Sequence, residues 1–128
     1  MITLVIADNN TKDMVELLGT IPNAQIADYE YIKRVTEQHR NNIYNSNPII
    51  IPPELTDRNR KEAPSINRSL LIHLLIIARR YNYNIIIVTN NVDRLDWRVK
   101  FLCPITDSKA IRFNRKREEH KSRLKDNC

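Results

Sequence analysis

Glycine is almost absent from this chain: among 128 residues, Gly19 is the only one. A phosphate-cradling P-loop needs several glycines, so that backbone N–H groups can wrap the phosphates, and then a lysine and a Ser or Thr for Mg²⁺. No Gly-Lys pair occurs, which excludes nucleotide hydrolysis by that device. Cysteine is nearly as scarce. Cys103 and Cys128 form no recognisable disulfide framework and neither sits near a histidine at metal-ligand spacing, so both read as ordinary reduced thiols and no cofactor is implied. No stretch of about 18 apolar residues appears, and Ile2-Thr3-Leu4-Val5-Ile6 opens the chain without the positively charged region of a secretory signal. The expectation is a cytoplasmic protein with no membrane partner.

A length of 128 residues, 41% of them hydrophobic, suits one core and a single domain over 1–128. Charge is distributed unevenly. Residues 1–93 carry ten Lys/Arg against ten Asp/Glu and residues 94–128 carry eleven against five, so the whole net charge of +6 lies in a basic C-terminal segment. A field concentrated at one end attracts polyanions, which makes nucleic acid the natural partner to test against a merely solubilising tail.

The apolar run Ile2–Ala7 reads as a buried strand. Thr11 is placed to cap a short helix over 12–18 that Gly19 stops. Asp28 caps a helical stretch to about Arg40, with Ile32 and Val35 on one face. Ile49-Ile50-Ile51, bounded by Pro48 and Pro52-Pro53, reads as a second buried strand before a charged loop. Pro64-Ser65 opens a helix to about Asn82 that is apolar nearly all round, so it is either a central core helix or one that also covers an oligomer or partner interface. His73 on that helix reads as a satisfied core histidine. Ile85-Ile86-Ile87-Val88 is a third buried strand, and Ala110-Ile111-Arg112-Phe113 alternates like another. Strands alternating with helices predict an α/β fold, a mostly parallel sheet with flanking helices.

The stretch Ile66-Asn67-Arg68, Leu70, Leu74-Leu75, Ala78, Tyr81-Asn82 and Val88-Thr89-Asn90-Asn91-Val92 resembles the RecA/RadA recombinase core, in which a helix ending near Tyr-Asn leads into a strand reading Val-Thr-Asn-Gln-Val. Val5-Ile6-Ala7-Asp8 is similar to an earlier core strand, Ile49–Ile51 stands at the Walker B position, and Ile111-Arg112-Phe113 at the terminal hairpin. The resemblance implies a minimal RecA-like core without catalysis. The Mg²⁺-associated aspartate of the family falls on Pro52-Pro53 and its water-activating glutamate on Asn10, and neither replacement binds metal as a carboxylate or takes a proton.

What such an ATPase-deficient core retains is its DNA-facing surface, the loops after the Walker B strand and after the Thr-Asn strand. Here these are 56–64, with Arg58, Arg60 and Lys61, and 92–104, with Arg94, Trp97, Arg98 and Lys100. They combine phosphate-neutralising charge with an aromatic face on which a base can stack. Arg112, Arg115, Lys116 and Arg117 extend the basic set, although Glu118 and Glu119 interrupt the run. The implied function is a recombination accessory that binds single-stranded DNA, a recombinase partner or further copies of itself. For Trp97 the competing reading is a partly buried anchor that packs its loop onto the core.

A PIN-domain nuclease is the rival resemblance, carried by the strand ending in Asp8-Asn9-Asn10 and by Val88-Thr89-Asn90-Asn91-Val92-Asp93. Its chemistry needs three or four carboxylates converging on Mg²⁺ or Mn²⁺. Asp8 and Asp93 qualify, with Glu30 or Glu37 as a third, while Asn67 and Asn91 stand where acids are expected. An interaction protein of viral or mobile-element origin on the same α/β scaffold is a further alternative, since fold does not fix function. The missing P-loop has a direct consequence: ATP is expected neither to be hydrolysed nor to raise the melting temperature, and saturable ATP turnover in a phosphate-release assay would contradict it.

Overall fold

The computed structural model describes residues 1–7, 10–57, 65–103 and 110–113, with the side chains of 65–67 and 110–113 outside the description. In chain order the elements are β1 (Ile2–Ala7), α1 (Thr11–Leu18), β2 (Gln25–Ile26), α2 (Tyr29–Arg40), β3 (Ile49–Ile51), α3 (Pro53–Thr56), α4 (Ser65–Tyr81), β4 (Ile85–Thr89), α5 (Trp97–Leu102) and β5 (Ala110–Phe113). A 3₁₀ turn over Val92–Arg94 joins β4 to α5.

All strand pairings among the described residues are parallel, and the order across the sheet is β2-β3-β4-β1-β5. A parallel sheet is buried on both faces, which is why β3 and β4 are runs of isoleucine and valine instead of alternating apolar and polar residues. The pleat sends Leu4, Ile6, Ile49, Ile51, Ile85 and Ile87 into the larger core cluster, with Ile32 and Val35 of α2, Leu71, Leu74 and Leu75 of α4, and Val99 of α5. Val5, Ala7, Ile50 and Val88 point the other way, onto Met14 of α1. Right-handed crossovers account for this division. From β1 the chain travels toward β2 and puts α1 on one face; from β2, β3 and β4 it travels in the opposite direction and puts α2, α4 and α5 on the other.

The α/β architecture, the three isoleucine-rich strands, the long helix and the strand at 110–113 all match the sequence expectation, and β5 pairs parallel to β1. A hairpin partner for β5 in 115–125 falls outside the described residues. Asp28 caps α2, its Oδ1 accepting from Tyr31 N at 2.8 Å.

Several expectations need correction. Thr11 is already helical; the N-cap of α1 is Asn10, whose side chain makes no capping bond. Gly19 does not stop α1 by adopting a left-handed conformation, because its φ is −62°. Its lack of a side chain matters for packing, since a Cβ there would stand 3.0 Å from Ile26 Cδ1. The left-handed positions belong to asparagines: Asn23, Asn42 and Asn82 have φ of 64°, 61° and 57°. Asn42 and Asn82 end α2 and α4, with Ile43 N reaching Gln38 O and Tyr83 N reaching Ala78 O across the turn, the arrangement that glycine usually supplies. His73 is exposed, because the buried stripe of α4 runs through Leu71, Leu74, Leu75 and Ala78. Residues 97–102 form a helix where the sequence reads as a loop.

The two sides of α4 set an expectation. Leu74→Ala removes a fully buried side chain and is expected to cost about 2–5 kcal/mol in a denaturant titration. Ile76→Ala, at an exposed position, is expected to stay within about 0.5 kcal/mol. Equal costs at both sites would contradict the assigned face.

Candidate nucleic-acid interface

Neighbouring strands β1 and β4 send their crossovers to opposite faces, so the carboxyl ends of these two strands form the topological switch point, where open α/β sheets bind ligands. At the end of β4, Thr89 Oγ1 donates to Asn91 O at 3.0 Å, and Asn91 Oδ1 accepts from Asp93 N at 2.9 Å to cap the 3₁₀ turn. Asn90 Oδ1 is buried and has no hydrogen-bond partner among the described residues.

From this edge the exits of β3 and β4 run side by side. Asp57 and Leu95 form an isolated antiparallel bridge, and Asp96 N donates to Thr56 O at 2.9 Å. Arg68, in the first part of α4 and only 5% exposed, locks the two segments together. Its Nη2 donates to Asp57 O at 2.9 Å, and its Nη1 donates to Thr56 O at 3.2 Å and to Asp96 Oδ2 at 3.4 Å. A buried guanidinium needs such acceptors, since an unpaired charge in a low dielectric is costly.

Asp96 is the N-cap of α5 and the centre of the arrangement. Its Oδ1 accepts from Arg98 N at 2.9 Å and from Arg98 Nε at 3.2 Å, while Oδ2 accepts from Arg98 Nη2 at 3.3 Å. Burial pushes its carboxyl up, but the hydrogen bonds from the Arg98 side chain and backbone, with the charges of Arg98 and Arg68, outweigh that and hold it below the ordinary carboxylate range.

Capped in this way, α5 turns Val99 into the core and leaves Trp97 and Phe101, one turn apart, 73% and 77% exposed. Trp97 is therefore no buried anchor. Arg94 is exposed and Lys100 half-buried, and neither forms an ion pair among the described residues. The sequence-proposed residues Arg94, Trp97, Arg98 and Lys100 thus share one short stretch around α5, with Arg98 committed to Asp96. Arg58, Arg60, Lys61, Arg115, Lys116 and Arg117 lie outside the described residues, and so does the side chain of Arg112, whose backbone pairs with Ile6. Phe101, Arg68 and Asp96 are additions from the structure. An aspartate directly before an apolar-basic hexapeptide was the available signal for the capped helix.

The acidic candidates scatter. Asp93 is exposed on the 3₁₀ turn, while Glu30 and Glu37 both belong to α2, which follows the edge strand β2, and Glu37 lies in its later half, toward the amino-terminal ends of the strands. Asp8 lies outside the described residues. Among the described residues no three His, Cys, Asp or Glu side chains come together as metal ligands would. Cys103 is a free, buried thiol whose pKa burial raises, the condition of an unreactive cysteine. No helix among the described residues is long and apolar enough to cross a membrane.

The lowered Asp96 carboxyl gives a signed pH dependence. Its contribution to stability is fully present above the unfolded value of 3.8 and is lost as pH falls below it, through the folded-state value. Asp96→Asn is expected to lower stability at neutral pH and to flatten this acid limb in denaturant titrations across pH 2–6, a range of about two units either side of the reference value. An unchanged acid limb would contradict the arrangement. No protein-family model, no curated protein and no solved structure matches this chain.

Proposed function

We propose that this chain binds single-stranded DNA through the outer surface of α5 and acts without catalysis, as a recombinase-like core lacking a nucleotide site would. The observation that carries this reading is the exposure of Trp97. A large aromatic ring left in water costs the protein hydrophobic stabilisation, and here it stands one turn from Phe101 and three residues along the chain from each of Arg94 and Lys100. Stacking platforms for single strands combine these elements, with cations that neutralise phosphate and aromatic faces that accept any base.

The cations and the ring do different work and separate experimentally. Replacing Arg94 and Lys100 by alanine removes two phosphate contacts, and the slope of log affinity against log salt is expected to flatten by about 1.4. Trp97→Ala is expected to weaken binding by about 1–3 kcal/mol at an unchanged slope. Arg98 is left intact in this test because it also holds Asp96. If both variants bind oligothymidylate as the parent does at every salt concentration, α5 is not the site.

The pairing of β1 with β4 also favours a second reading, the metal-dependent nuclease, because the strand that precedes Asp8 ends beside the strand that precedes Asn90, Asn91 and Asp93. Incubation of single- and double-stranded substrates with Mg²⁺ or Mn²⁺ decides between the two. Cleavage by the parent that Asp8→Asn abolishes would replace the non-catalytic reading.

A further inference from the structure

A second aromatic and basic cluster lies at the amino-terminal ends of the strands, where α2 and α4 end side by side before β3 and β4. His39 stands at its centre. Its ring meets Tyr44, Tyr81 and Tyr83 edge to face, with centroids 5.3, 4.5 and 5.6 Å away, and its Nδ1 lies 2.7 Å from Tyr83 Oη. Tyr83 is buried. Tyr44 and Tyr81 are stacked, with centroids 5.7 Å apart and planes 16° from parallel, and each leaves half of its surface in solvent.

This exposed pair is not the sole fastening of the chain at this point. The segment after α2 is already fastened by the bond from Ile43 N to Gln38 O and by Asn45 Nδ2 donating to Tyr31 Oη at 3.0 Å. The last turn of α2 carries Arg40 and the last turn of α4 carries Arg79 and Arg80, all exposed and none in an ion pair among the described residues. The helix dipole favours cations at a C-terminus, and three arginines in the last turns of two packed helices give this end of the layer an excess of positive charge that suits a polyanion. The nearest acid in sequence is Glu37; α4 and α5 contain neither Asp nor Glu. The solvent side of α4 presents His73, Ile76 and Arg80, so α4 itself offers a strand no acidic side chain between α5 and the tyrosines.

We infer that Tyr44, Tyr81, Arg40, Arg79 and Arg80 form a second stacking site for single-stranded nucleic acid, and that one strand runs over α4 from this site to α5. The continuous path rests on the reading of α5 as a nucleic-acid site; the tyrosine site stands independently of it. The 17 residues of α4 rise about 25 Å, the span of roughly seven nucleotides at 3.4 Å each. Two linked sites raise each other's effective concentration, so affinity depends on oligonucleotide length.

The experiment is equilibrium dialysis with oligothymidylates of about four and about fifteen nucleotides, short enough for one site and long enough for both. The parent is expected to take up two short oligonucleotides or one long one. Tyr44→Ala with Tyr81→Ala is expected to leave one short-oligonucleotide site and to weaken the long one by roughly fivefold or more. Arg79→Glu with Arg80→Glu changes only exposed charge, guards against a folding defect, and is expected to weaken the long oligonucleotide in the same direction. If the tyrosine and arginine variants bind both lengths as the parent does while Trp97→Ala loses binding, this inference is overturned and the α5 reading stands. If Trp97→Ala is silent and the tyrosine variant loses binding, the α5 reading and the continuous path fail and the tyrosine site stands. If the tyrosine variant alters only the sedimentation of the protein itself, the patch is a contact between copies and the inference is overturned.

Discussion

Arg68 is the constraint on which the carboxyl edge of this molecule depends. Its guanidinium is sealed from water and has backbone carbonyls and a carboxylate for partners, so it holds Thr56, Asp57 and Asp96 at the same point in space. These residues come from the exit of β3 and the exit of β4, which the bridge between Asp57 and Leu95 and the bond from Asp96 N to Thr56 O also join. Removing one partner would leave a buried charge uncompensated, and that penalty is what makes the geometry definite. Asp96, positioned from one side by Arg68, caps α5 from the other, so the orientation of Trp97 follows from a charge buried well beneath it.

Isoleucine supplies the rest of the framework. Because β3 and β4 are both inner strands, a β-branched run can be buried on both faces at once, and β1 sits beside β4 with Ile2, Thr3, Leu4, Val5 and Ile6 in register against Ile85 to Thr89. Among the described residues the helical cover is unequal, with α1 on one face and α2, α4, α5 and the single turn of α3 on the other. That inequality follows from the direction of the crossovers, and it lines up α2, α4 and α5 as one layer. Both aromatic and basic clusters lie at the ends of that layer.

The parts of the fold legible in the sequence were those written in continuous apolar runs or in a single local contact. Ile49-Ile50-Ile51 between prolines leaves no choice but a short buried strand, and Asp28 ahead of Tyr31 declares a cap. The role of Arg68 depends on partners 11, 12 and 28 residues away, and no local pattern reports them. Helix α5 is too short for a period to emerge, so Trp97 is visible as a candidate but Phe101, its neighbour one turn on, is not. Arg98 looks like a phosphate ligand until its bonds to Asp96 are seen. Asn23, Asn42 and Asn82 take the left-handed positions that a chain with one glycine must fill some other way, and nothing in their local sequence marks them out from the other asparagines.

Trp97 is the only tryptophan, so its fluorescence reports on the central claim directly. An indole standing three-quarters in water should emit as free indole does, and oligothymidylate added at low salt should quench that emission, with the signal recovering as salt displaces the strand. Emission typical of a buried ring, or an oligonucleotide that binds without altering the Trp97 signal, would contradict the account.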